Sequence, residues 1–251
     1  MISIPPGNER AQHRIGVLVP YTNTNLEPDL QMMAPPGVSF HFTRIGGYRE
    51  DVVPDADEMV GMGETGIDDA LEMIAGCRPG SVLYGCTSAT LAHGREFDIA
   101  LAAKIKLATG AEAFTAAGSI TFALKTLNVA RVALATPYVG EVNDRTVQYL
   151  ASGGVETVAC TKLADNLLSH EQGAISPEQV YALALRADHK DAGAIVLACT
   201  DLRAVEAISR IEAALNKPVV SSNQAMMFAA ASVLNTKDFS EPPCLLFSRL
   251  R

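Results

Sequence analysis

The sequence predicts an α/β protein of two similar lobes, each a mainly parallel sheet wrapped in helices, and three observations predict it. Short β-branched runs alternate with longer amphipathic segments, the runs are apolar on both faces, and three landmarks occur twice in the same order. The chain has 251 residues, 48% of them hydrophobic, which is ample for one large core or two smaller ones.

The first strand is "IGVLV" at 15–19, which ends on the turn-like "PYTNTN" at 20–25, and the second is "VSFHF" at 38–42. Helical spacing follows in "DADEMVGMGETGIDDALEMIAGC" from Asp55 to Cys77, then a strand in "SVLYG" at 81–85. In the second half the strands are "RVALAT" at 131–136, "VETVAC" at 155–160 and "AIVLAC" at 194–199. The segments "NDRTVQYLASGG", "SPEQVYALALRADH" and "AVEAISRIEAALN" between and after them carry helical spacing. Such βαβ alternation places ligands beyond the carboxyl ends of the strands.

The halves answer each other. "RIGVLVPYTNTN" from Arg14 matches "RVALATPYVGEVN" from Arg131, superposing Pro20-Tyr21 on Pro137-Tyr138. "LYGCTSA" matches "LACTDLR", aligning Cys86 with Cys199, and "FTAAGSITFALKTL" from Phe114 resembles "VSSNQAMMFAAASVL" from Val220. An internal duplication predicts two Rossmann-like lobes, 1–115 plus 221–251 and 116–220, related by a pseudo-twofold axis. Cys86 and Cys199 then converge on one cleft.

A net charge of −8 without a Lys/Arg cluster excludes nucleic acid and an anionic membrane surface as partners. No run approaches the roughly 20 apolar residues of a membrane span, and the polar start has no signal-peptide core, so the expected location is cytoplasmic. The expected partners are small molecules and other copies of the chain, in a homo-oligomer. Five cysteines, an odd number with no CxxC spacing, predict reduced thiols rather than a disulfide framework or a zinc site. "GMGETG" at 61–66 lacks the preceding strand of a dinucleotide site, "SATLAHG" lacks the lysine of a phosphate loop, and the histidines have no ligand spacing. No metal or cofactor is expected.

Cys86 and Cys199 each end a strand and precede a turn or helix start, where backbone N–H groups and the helix dipole favour an anion and lower a thiol pKa. Thr87, Ser88 and Thr200 add hydroxyl and N–H donors suited to holding a carboxylate without a buried cation. Asn23 and Tyr138 lie after matching strands and are expected to face the cleft. Cys77, Cys160 and Cys244 read as structural, His93 as a solvated loop residue, and Arg44 either as a substrate contact or as a loop charge.

At the two cysteine motifs the chain resembles the cofactor-independent aspartate/glutamate racemase superfamily, and within it the maleate cis-trans isomerases. The resemblance implies two α/β lobes around one site, with one catalytic cysteine from each: Cys86 in "YGCTSAT" and Cys199 in "LACTDLR". By the same resemblance "VPYTNTNLEPD" places a carboxylate-binding asparagine at Asn23, "ATPY" a tyrosine at Tyr138 and "LADN" a second asparagine at Asn166. The related arylmalonate decarboxylases keep a cysteine only in the second lobe, so Cys86 points away from their chemistry. The implied function is cis–trans isomerisation of a small dicarboxylate, maleate to fumarate or a near relative. Two alternatives stay open: racemisation of an acidic amino acid by the same pair of thiols, and a small-acid binding protein without turnover.

Overall fold

β1 (His13–Pro20) is buried on both faces from Ile15 to Pro20, as a central parallel strand must be. The computed structural model describes residues 12–47, 52–164, 166–234 and 244–250. β1 pairs in parallel with β2 (Val38–Ile45) on one side and β3 (Ser81–Tyr84) on the other, and β4 (Glu112–Thr115) completes a sheet of order β2-β1-β3-β4. The second sheet repeats that order and sense as β6-β5-β7-β8, built from β5 (Arg131–Thr136), β6 (Glu156–Lys162), β7 (Ala194–Leu197) and β8 (Val219–Ser221). The three repeated landmarks of the sequence fall on β1 and β5, on the ends of β3 and β7, and on β4 and β8 with the helices that follow them.

The long helical stretch after β2 is two helices, α2 (Ala56–Glu64) and α3 (Ile67–Ala75). Asp55 caps α2 by accepting the Glu58 N–H at 2.9 Å, and Gly66, at φ 67°, makes the left-handed break before α3. Gly61 and Gly63 therefore lie inside α2, with no phosphate-cradling turn. α4 (Thr87–His93) and α5 (Arg95–Thr109) follow β3, and Gly110 ends α5 in the left-handed conformation. His93 is not a solvated loop residue: it closes α4, its ring stacked on Phe97 at 3.6 Å and its Nε2 2.8 Å from the Val60 carbonyl oxygen.

Two helices bind the sheets together. α6 (Ala116–Thr126) leaves β4, yet Ala117, Ile120, Ala123 and Leu124 join the core of the second sheet with Val132 and Leu134. α11 (Ser222–Leu234) leaves β8, yet Met226, Met227 and Ala230 join Ile15, Val17 and Leu83 of the first. α6 and α11 also pack on each other. The remaining helices, α1 (Leu26–Met32), α7 (Gly140–Ser152), α8 (Ser169–Gly173), α9 (Pro177–Ala187) and α10 (Ile208–Leu215), cover the strands or follow them. Among the described residues no helix is long and apolar enough to cross a membrane.

Candidate active site

β3 and β7 occupy equivalent positions in the two sheets, and each delivers a cysteine just past its last residue. Gly85 separates β3 from Cys86, and a Cβ at Gly85 would overlap the Leu26 side chain, so only glycine lets α1 pack this close to the thiol. Cys86 is the N-cap of α4, with its Sγ 3.7 Å from the Ser88 hydroxyl. Across the gap, the Thr200 hydroxyl donates to the Gly85 carbonyl at 2.8 Å and accepts the Asn23 side-chain N–H at 3.1 Å. One residue past β7, Thr200, thus holds both the other strand end and the loop after β1.

These groups enclose a cavity of about 40 Å³. From the first-sheet side Pro20, Thr22, Asn23, Pro54, Met59, Cys86 and Ser88 line it, and from the second-sheet side Tyr138, Val142, Ser169, Gln172, Cys199, Thr200 and Asp201. No lysine or arginine is among them. Donors to an anion are neutral here, and the side chains of Asn23, Ser88, Tyr138, Ser169 and Gln172 supply them.

Of the residues expected from sequence, Asn23, Cys86, Ser88, Tyr138, Cys199 and Thr200 share this cavity. Thr87 does not line it. As the first residue of α4 its side chain is buried, donates to the Ser222 hydroxyl at the start of α11 at 2.9 Å and lies beside the Tyr138 hydroxyl, which does line the cavity. Asn166 is exposed beyond β6 and does not line the cavity either. Arg44 binds the loop rather than the cavity, donating to the carbonyls of Asn23 at 2.7 Å and Pro20 at 3.2 Å and pairing with Glu27. Cys244 is buried against Gln224, but Cys160 is exposed on the edge strand β6 and has no packing role of the kind expected.

The two thiols are both shifted toward the neutral form. Burial pushes Cys86 up, and the Ala89 N–H of the first turn of α4 and the Ser88 hydroxyl offset only part of that rise. The expectation of a depressed pKa is corrected accordingly: a helix start favours a thiolate, but loss of water outweighs it. Cys199 is pushed up to about 12, first by burial and next by the Asp201 carboxylate. Its sulfur accepts the Asp201 N–H at 3.3 Å and its S–H donates toward Gln172 Oε1 at 3.9 Å. Tyr138, 5% exposed, is held well above its ordinary value by burial and then by the two sulfurs, so it is a neutral phenol. Its hydroxyl faces the Cys199 sulfur and the Thr87 hydroxyl.

Sequence reasoning passed over Asp201, Gln172, Ser169, Met59, Pro54 and Val142. Asp201 stood inside the quoted "CTDLR", and a carboxylate two residues from a strand-end thiol was a usable signal. Val142 stood four residues past Tyr138 in the quoted "PYVGEVN", and the others come from segments that only the fold brings to the cleft.

Comparison with known proteins places the geometry. A maleate isomerase of Nocardia farcinica is 29% identical over 90% of this chain and 90% of its own length, and an arylmalonate decarboxylase of Bordetella bronchiseptica is 30% identical over 83% and 82%. The structure of a cysteine-to-serine mutant of the Nocardia farcinica maleate cis-trans isomerase, with a covalently bound succinylcysteine intermediate, superposes with a TM-score of 0.78 at 25% identity. That superposition covers 89% of this chain and 93% of the other. The arylmalonate decarboxylase family profile matches residues 15–247, from the second residue past the start of β1 into the last described segment, so both sheets and both cysteine loops fall within it and the chain belongs to that family of enzymes.

Proposed function

We propose that the chain is a cofactor-independent cis–trans isomerase of a small dicarboxylate, maleate to fumarate. The carrying observation is that Cys86 and Cys199 line one cavity from equivalent strand ends. Support comes from the maleate isomerase relative and from the succinylcysteine found in the Nocardia farcinica enzyme. The family also contains an arylmalonate decarboxylase, and the pair of thiols facing one cavity favours isomerisation over decarboxylation here.

In this reading the Cys86 sulfur bonds to one olefinic carbon while the π pair moves to its neighbour. Cys199 delivers its proton to that neighbour and recovers the proton lost by Cys86, so thiol has added across the double bond. The new C–C single bond rotates. Cys199 then gives its proton to the departing Cys86 sulfur and takes up the proton from carbon as the C–S bond breaks and the double bond re-forms, and the trans product leaves with both thiols restored. Asn23, Tyr138, Ser88 and the backbone N–H of Thr200 hold the carboxylates and the charge that develops on them. Thr87 serves by holding Tyr138 and tying α4 to α11, and Asn166 binds a carboxylate when its segment folds over the substrate. Neutral thiols suit a dianionic ligand, since no resident thiolate repels it.

The packing of α6 and α11 favours lobes of 1–115 plus 221–251 and 116–220. Two catalytic thiols suit a reducing cytoplasm. Exposed Ile99 and Phe122, which border one groove, favour a homo-oligomer.

The test is proton NMR of the purified protein with maleate, with and without a chelator. Fumarate should form in both. Deuterium entering the α-position of aspartate or glutamate would support racemisation instead, loss of carbon dioxide from an arylmalonate would support decarboxylation, and no fumarate from maleate overturns the proposal.

A further inference from the structure

Asp201 sits between the two lobes and makes more contacts to the cleft than any mechanism so far uses. Its Oδ1 accepts three N–H groups of the loop after β1: the backbone N–H of Thr24 at 3.0 Å and of Asn25 at 3.1 Å, and the Asn25 side chain at 3.1 Å. The same Asn25 amide donates to the Asp201 carbonyl at 2.7 Å and the Gly173 carbonyl at 2.9 Å. Oδ2 lies against Gly173, where a Cβ would come within 2.8 Å of it. Next to these, Asn23 turns its side chain to Thr200. Asp201 is 7% exposed.

Resting on the isomerase reading, we propose that Asp201 is a positioning residue with two effects: it clamps the Asn23 loop onto the second lobe, and its charge marks Cys199, rather than Cys86, as the proton donor of the pair. Three donors on one oxygen favour the ionised carboxylate, against the burial that raises its pKa. The groups facing Cys199 are Asp201 from its own loop, Tyr138 from the segment after β5, Gln172 from α8 and Cys86 from the start of α4, and none is a cation. On the other side the Arg44 guanidinium of β2, which binds the same loop, draws Asp201 toward the ionised form. Among the described residues Cys86 has no carboxylate beside it and has a helix start instead, so the two strand ends differ in sign where their sequences nearly match.

Asp201→Asn keeps an acceptor oxygen for the loop and removes the charge, whereas Asp201→Ala removes both. Iodoacetamide labelling from pH 7 to 10, read for each cysteine peptide by mass spectrometry, should show Cys199 of Asp201→Asn reacting at least about tenfold faster at pH 9, with Cys86 changed less than about twofold. With maleate, the alkaline fall in kcat should begin about one pH unit lower in Asp201→Asn while KM stays within about threefold, and Asp201→Ala should raise KM as well. A Cys199 labelling curve that does not move overturns the charge effect, and equal KM in the two variants overturns the clamp. Labelling needs no turnover, so a protein inactive on maleate would refute the isomerase reading while this test still returned its own answer.

Discussion

A buried thiol at the first turn of a helix is pulled two ways, and in Cys86 the loss of water wins. The consequence is measurable. In the free protein the exposed Cys160 and half-buried Cys77 should be alkylated before Cys86 and Cys199, and Cys86 labelling should accelerate with pH and be suppressed by substrate. Labelling of Cys86 ahead of Cys160 at pH 7 would show that the helix start dominates after all. Cys86→Ala should lower turnover by about a thousandfold or more, whereas Cys199→Ser should leave an adduct on Cys86 that mass spectrometry detects. At this scale the sequence announced the thiols and Tyr138 because type and place coincide: a cysteine after an apolar run, twice. The bearing of Thr87 was not legible, since adjacent helix positions face different ways and nothing in "CTSAT" says which hydroxyl lines the cavity and which ties α4 to α11.

The elements carry the site through close approach. Gly85 lets Leu26 of α1 touch the turn before Cys86, and its carbonyl is the acceptor for Thr200. Gly85→Ala should force α1 or the turn aside, costing about 1–3 kcal/mol of stability in chemical denaturation and lowering kcat along with it. Unchanged stability and turnover would mean that α1 relaxes freely. Six of the eight strands were legible as apolar runs. β4 and β8 were not, being four and three residues long with no period to read, although the repeated "FTAAGS" and "VSSNQA" marked their place. α2 and α3 read as one helix because the break at Gly66 is a single residue inside an otherwise continuous helical pattern.

For the whole molecule, the two lobes meet through buried polar bonds as well as through α6 and α11, and one of those bonds has a pH-dependent cost. Asp29 of α1, 1% exposed, accepts the Asn223 amide of α11 at 2.7 Å, and Asn223 donates onward to the Thr200 carbonyl at 2.9 Å beside the cleft. Burial carries the Asp29 carboxyl up to about 7, against a partial downward pull from Asn223. An unfolded aspartate ionises near pH 3.9, so between about pH 4 and 7 the native state keeps a proton that the unfolded state has lost. The stability from this group is therefore complete below about pH 4 and is lost as pH rises to about 7, on the order of 4 kcal/mol in all. Asp98 and Asp201 are raised too and act in the same direction, so the diagnostic is a difference between proteins. Urea unfolding of wild type and Asp29→Asn at pH 5 and pH 8 should show the variant gaining on wild type at the higher pH, because a neutral amide has no proton to lose. A gap that is the same at both pH values would mean that Asp29 titrates alike in the folded and unfolded chain, and the Asp29–Asn223 bond would then carry no pH dependence into the joint between the lobes.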